Sequence, residues 1–185
     1  MMKKVTWLGF ALLIVAAILL SSCSTSTTAT GPVVLTVTNG STVKTYSLAA
    51  LEALKSVTGN GGMKGKGGMI TGPYPYQGVA LITLLNAVGG VNSKQSVKLT
   101  GSDGYTKTLT YDQITNGGFN AYDTSGNSVT PTTKPVLVVV YSSNGAALDS
   151  SSGPTEVGLL FSQNLVSDGN MWVKLLSKID IVAAQ

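Results

Sequence analysis

From Gly59 to Gly90 the chain reads GNGGMKGKGGMITGPYPYQGVALITLLNAVGG, and no other stretch restricts its architecture as much. Glycine adds nothing to a core and leaves the backbone free, so Gly59 to Gly72 reads as a mobile surface loop or a ligand lid. Pro73 and Pro75 stiffen the turn that follows, and Tyr74 and Tyr76, two residues apart, would put both rings on one side of an extended segment. Val79, Leu81, Ile82, Leu84, Leu85 and Val88 then form a broad apolar stripe closed by Gly89-Gly90, the pattern of a buried helix with a glycine stop.

The flanking sequence is mostly strand-like. Val33 to Thr38 alternates, Asn39-Gly40 is a two-residue hairpin signal, and Thr42 to Tyr46 resumes the alternation. Ser47 can cap a short helix carrying Leu48, Leu51 and Leu54, which Gly59 would end. Ser96 to Leu99 and Thr106 to Thr110 read as strands joined by a Ser102-Asp103-Gly104 turn, and Tyr111 to Ile114 as the start of a short helix. Asn116 to Thr133 is polar enough to be a surface excursion. Pro135 to Tyr141, PVLVVVY, is continuous and β-branched, the signature of a central strand buried on both faces. Glu156 to Phe161 is another strand, and Trp172 to Val182 completes the core. Strands and helices mix without a βαβ rhythm, so the fold class is α+β, a mixed β-rich domain. An immunoglobulin-like sandwich is the alternative, against which the apolar helix speaks.

At the N-terminus, Lys3 and Lys4 precede an apolar run from Val5 to Leu20 and then Leu20-Ser21-Ser22-Cys23, with the chain's single cysteine. The run falls short of the ~20 residues of a spanning helix and has the plan of a signal peptide. Its end resembles the lipobox of bacterial lipoproteins, which implies cleavage after residue 22, lipidation of Cys23 and an extracytoplasmic, membrane-anchored protein. Ser24 to Thr30 reads as a flexible tether within residues 23–32, leaving 33–185 as a single domain.

Charge narrows the function. Without Lys3 and Lys4, ten lysines face eight acidic residues, too small an excess to attract nucleic acid. Histidine and arginine are both absent, which removes imidazole acid/base chemistry and guanidinium oxyanion clamps. With Cys23 committed to lipid, no thiolate is left for a metal. Lys64 and Lys66 in the glycine stretch could meet an anionic ligand, although Asn60 and Gly67 break the P-loop spacing. Tyr74 and Tyr76 could stack on a planar ligand, and Asp103 and Tyr105 in the Ser-Asp-Gly-Tyr turn could contribute contacts. No catalytic residue and no metal ligand is assigned.

Four stretches occur together: Tyr76-Gln77-Gly78-Val79-Ala80-Leu81 leading to Leu84-Leu85 and Gly89; Ser102-Asp103-Gly104-Tyr105; Leu148 to Pro154; and Trp172 to Leu176 ahead of Ile179-Asp180-Ile181. In this order they resemble the molybdopterin-binding domain of the sulfite-oxidase-like oxidoreductases, over about Val33 to Val182. The resemblance implies that family's fold and a molybdopterin cofactor. It implies a metal-binding cysteine before the Gly-Val-x-Leu helix, where this chain has glycines, lysines and Met63 and Met69. The expectation is a binding or accessory module with a degenerate metal site. An active molybdopterin-dependent oxidoreductase and a structural or adhesive surface lipoprotein are the alternatives.

Overall fold

The computed structural model describes residues 31–184. The signal segment, Cys23 and the Ser24 to Thr30 tether lie outside the described residues. Strands β1 (Val33–Asn39) and β2 (Thr42–Ser47) form the expected hairpin, with Asn39 opposite Thr42. Ser47 caps helix α1 (Leu48–Glu52) by accepting the Ala50 N–H at 3.2 Å. Strands β3 (Ser56–Lys64) and β4 (Ile70–Ala80) follow, then helix α2 (Leu81–Asn86). Strands β5 (Gln95–Gly101) and β6 (Thr106–Thr110) lead into helix α3 (Tyr111–Asn116), which is closed by a capping box between Thr110 and Gln113. The remaining strands are β7 (Ala121–Tyr122), β8 (Ser128–Val129), β9 (Val136–Ser143), β10 (Ala146–Ala147), β11 (Glu156–Leu160), β12 (Val166–Asp168) and β13 (Leu176–Ala183).

Two sheets result. The first has the order β2-β1-β13-β5-β6, with β1 and β13 parallel and the other neighbours antiparallel. The second runs β10-β9-β4-β3-β12-β7-β8, with β11 added to β9 and with β3 and β12 parallel. Leu35, Val37, Val97, Leu99, Ile179 and Ile181 of the first sheet join Val79, Leu137 to Tyr141, Val157 and Leu159 of the second in one apolar cluster. Leu51 of α1 and Leu81, Leu84 and Leu85 of α2 belong to it too. The domain is β-rich and mixed, as expected; its α-helices are only five or six residues long.

The glycine stretch departs most from its sequence reading. Most of Gly59 to Gly72 is not a loop: Gly59 to Lys64 lie in β3 and Ile70 to Gly72 in β4, paired antiparallel from Ser56↔Val79 to Lys64↔Ile70. Only Gly65 to Met69 turn, with the Gly65 N–H donating to the Met69 carbonyl at 2.8 Å. At Gly59, Gly61, Gly62 and Gly72 these strands carry glycine because neighbouring backbones and side chains, the Trp172 ring among them, occupy the space where a Cβ would stand. Their signal is therefore missing from a hydrophobicity pattern. The α2 stripe is real but begins later, since Val79 and Ala80 still belong to β4. Leu81, Leu84 and Leu85 are fully buried while Ile82 faces out, and Gly89 and Gly90 leave the helix at φ +102 and +78. Helix α1 stops at Ala53, before Gly59, because β3 has already begun at Ser56. The polar excursion is partly built, its β7–β8 hairpin extending the second sheet beyond β12. The central-strand reading of Pro135 to Tyr141 matches β9, whose Val138, Val139 and Val140 are fully buried between β4 and β11.

Candidate functional site

Strands β3, β4, β9 and β11 pair in succession and close on themselves at one corner, where Asn60 and Phe161 exchange both backbone hydrogen bonds at 2.8 Å. Trp172 packs against three of the four. Its indole N–H points to the Gly62 carbonyl at 3.0 Å and to the Ser167 hydroxyl at 3.1 Å, so the one polar atom of a buried ring is satisfied. The ring lies on Gly158, where a Cβ would come within 3.0 Å of three indole carbons. It also lies beside Gly61, where a Cβ would meet the indole at 3.0 Å. On the β4 side the Tyr76 ring sits 5.0 Å away, tilted by 47°.

Glu156 opens β11 in the same neighbourhood. Its residue is 2% exposed, and its Oε2 has no hydrogen-bond partner among the described residues. Burial pushes its carboxyl up to about 7, Asp149 adds to the rise, and the Ser152 side chain and Lys174 charge oppose it. Tyr76 is pushed up to about 12, chiefly by burial and next by the Glu156 charge, with the Ser143 hydroxyl pulling the other way. Asp149 goes the opposite way. The Ser151 hydroxyl donates to it at 2.6 Å and the Ser152 N–H at 2.9 Å, which holds its carboxyl below the usual carboxylate range.

The loop carrying Asp149 is locked to the chain after Trp172. Lys174 Nζ reaches the Ser151 hydroxyl at 3.4 Å, and the Leu175 N–H donates to the Ser152 carbonyl at 2.7 Å. The Thr155 hydroxyl donates to the Leu176 carbonyl at 2.8 Å. Gly153, at φ +74, lies under Leu175, and a Cβ there would meet the leucine at 2.9 Å.

The six candidate residues do not form one site. Tyr76 is in the cluster, and Tyr74 is two positions along β4 with 43% of its surface exposed. Lys64 lies six strand positions from Tyr76's end of the hairpin, ~20 Å at ~3.3 Å per residue. There its ammonium donates to the Gly126 carbonyl at 2.7 Å and sits 4.1 Å from the centre of the Tyr122 ring. Lys66 is exposed at the hairpin tip. Asp103 and Tyr105 are exposed in the β5–β6 turn, where the Asp103 carboxylate accepts the Tyr105 N–H at 3.0 Å. That turn touches the cluster's outer edge, since the Ser102 N–H donates to the Leu175 carbonyl at 2.8 Å. Glu156 lies outside the six candidates; the signal for it in the sequence is an acid opening the otherwise apolar strand Glu156 to Phe161.

Beside Tyr76 the surface forms an open depression of about 360 Å³, lined among others by Thr58, Asn60, Gln77 and Ser142. A second, of about 330 Å³, shares Gln77, Ser142 and Gly145 and reaches Glu52. No lysine lines either.

No protein-family model and no curated protein matches the chain. Among solved structures, the fold is similar to the sulfane dehydrogenase SoxCD from Paracoccus pantotrophus, with a TM-score of 0.56 and 15% identity. The match covers 80% of this chain and 37% of that one, so the chain spans well under half of that protein. The likeness supports a distant sulfite-oxidase-like fold.

The residues present do not fit the molybdenum cofactor that such a fold suggests. Where the resemblance expects a thiolate, β3, β4 and their turn present glycine backbone, Lys64, Lys66, Met63 and Met69, and Trp172 and Leu160 occupy the space beside Gly61. Lys64, the nearest cation in that hairpin, is engaged with Gly126 and Tyr122. Among the described residues no group of three or more potential metal-ligating His, Cys, Asp or Glu side chains comes together.

Proposed function

We propose that this chain is a lipid-anchored, extracytoplasmic binding or accessory module that carries a sulfite-oxidase-like fold without the redox centre. The observation that carries the reading is packing in place of metal-ligating chemistry: within Gly59 to Gly72, the stretch where the resemblance expects the ligand, the backbone at Gly61 closes on Trp172 and Leu160. The Leu-Ser-Ser-Cys sequence ending at Cys23 supports the anchor, and the small polar residues after it support a tether that holds the domain off the bilayer.

The surface beside Tyr76 supports the binding role. Its lining offers amides, hydroxyls and one aromatic ring, the set that holds a neutral, polar, flat ligand. An anionic ligand would find no lysine there. Metal analysis and pterin extraction on the purified protein test the central claim. The expected result is neither molybdenum nor pterin at stoichiometric level, and stoichiometric amounts of both would overturn it in favour of an active oxidoreductase. Incorporation of labelled fatty acid, lost in Cys23→Ser, tests the anchor; an unlabelled wild-type protein would remove it.

A further inference from the structure

Glu156 has no task in that reading, yet among the described residues it is the one acid that is buried. A carboxylate inside a protein is normally paired with a cation or several donors, because loss of hydration is otherwise uncompensated. Here one carboxylate oxygen has no partner and the residue is 2% exposed. The groups that face it are few. From β4 comes Tyr76; from the loop before β11 come Asp149 and Ser152; from the segment after Trp172 comes Lys174. Across the strand pair, β9 presents Val140. Lys174 is the single cation among them, and its ammonium reaches toward the Ser151 hydroxyl of the same loop.

The placement of this carboxyl matters as much as its burial. Glu156 is the first residue of β11, directly after the Asp149 to Thr155 loop. That loop is held down by the Leu175 N–H on Ser152, the Thr155 hydroxyl on Leu176 and the packing of Leu175 over Gly153. These contacts are neutral and sit within a few residues of the acid. We propose that Glu156 is a proton-operated latch. With its carboxyl neutral, the Asp149 to Thr155 loop stays docked on Leu175 and Leu176; with it ionised, the loop lifts to admit water and to bring Lys174 to the charge.

The structure gives the latch its direction. Burial and Asp149 make a charge at Glu156 less favourable, and Ser152 and Lys174 make it more favourable. Replacing Lys174 with Met therefore moves the opening to higher pH, and replacing Asp149 with Asn moves it to lower pH. The transition falls near neutrality, where an extracytoplasmic surface meets changes of acidity that the cytoplasm does not.

The chain has two glutamates, Glu52 and Glu156, so carbon-13 labelling of glutamate side-chain carboxyls gives two signals, and the one lost in Glu52→Gln is thereby assigned. Glu52 is exposed and serves as the internal reference. The expected result is a Glu156 signal that titrates near pH 7, with protection of the Ser152, Gly153 and Leu175 amides, corrected for the intrinsic rise of exchange with pH, falling at least tenfold through the same midpoint. Glu156→Gln should keep those amides protected on both sides of it. A Glu156 signal that titrates in the ordinary carboxylate range overturns the proposal, as does titration near pH 7 with protection of those amides unchanged. If Glu156→Gln fails to fold, the wild-type titration and exchange still decide the matter, and the opposite shifts in Lys174→Met and Asp149→Asn supply the second test.

Discussion

The two sheets of this molecule are built on opposite principles. In the first, side chains make the sheet: β1, β5 and β13 alternate apolar residues toward the core with threonine, lysine and aspartate toward solvent. In the second, the corner where β3 meets β11 depends instead on the absence of side chains. Strands β3 and β11 come close enough to share Trp172 because Gly61 and Gly158 remove the atoms that would keep it out. The first arrangement spreads its stability over many similar contacts. The second concentrates it on one indole and on a few positions that tolerate nothing larger, and it is there that the fold places its buried acid.

That contrast breaks first at Trp172. Trp172→Ala should cost ~3–5 kcal/mol, the loss of a buried aromatic plus the cavity it leaves, and should leave the Gly62 carbonyl only the longer bond from the Ser167 hydroxyl at 3.5 Å. Gly158→Ala makes the complementary clash and should cost ~1–3 kcal/mol by overpacking. If the ring and the glycine form one unit, the two substitutions combined will cost less than their sum, because the cavity accepts the added methyl. Denaturant unfolding of the four proteins measures the cycle, and strict additivity would show that the second sheet does not depend on this pair.

The next largest effect separates the sheets by pH. Glu156 is raised from 4.5 in the unfolded chain to about 7 in the folded one, so between those values the native state keeps a proton that the unfolded state releases. Stability contributed by this group therefore falls as pH rises through the window and is level above it, the reverse of a salt-bridged carboxylate. The full fall is about 3 kcal/mol at ~1.4 kcal/mol per pH unit. Glu156→Gln should remove the slope and leave the protein more stable than wild type above pH 7. Urea midpoints measured across that range check it, and parallel curves for the two proteins would contradict it.

Legibility in the sequence followed the same division. The β1–β2 hairpin, the β5–β6 hairpin, the central strand β9 and the Ser47 cap could be read from the chain because alternation, turn residues and capping chemistry are local. Strands β3 and β4 could not. A glycine in a strand is informative only with its neighbour in space, and Gly158 and Trp172 meet through the fold rather than the sequence. Lys64 and Lys66 looked like a ligand-facing pair for the same reason. Read as a loop, the stretch could bring them to Tyr76, whereas as a hairpin it holds them at its far end. The aromatic part of the candidate site was visible at Tyr76, but the acid beneath it needed the burial of β11.

The smallest expected effect lies on the solvent side of the first sheet. Lys178 and Asp180, both on β13, form an ion pair at 2.8 Å, and Asp180 also accepts the Thr38 hydroxyl from the parallel strand β1. Lys178 is 48% exposed, so the pair is screened by water and by salt. Lys178→Met should change stability by about 0.5 kcal/mol or less and lose that difference in high salt. Asp180→Asn keeps a carbonyl to accept the Thr38 hydroxyl and should do no more. The two variants thereby sharpen the contrast: a sheet made by alternating side chains absorbs a lost charge, because its register is set by the buried Val37, Leu99 and Ile179. A loss from Lys178→Met as large as that from Gly158→Ala would mean that the first sheet also depends on a single irreplaceable contact.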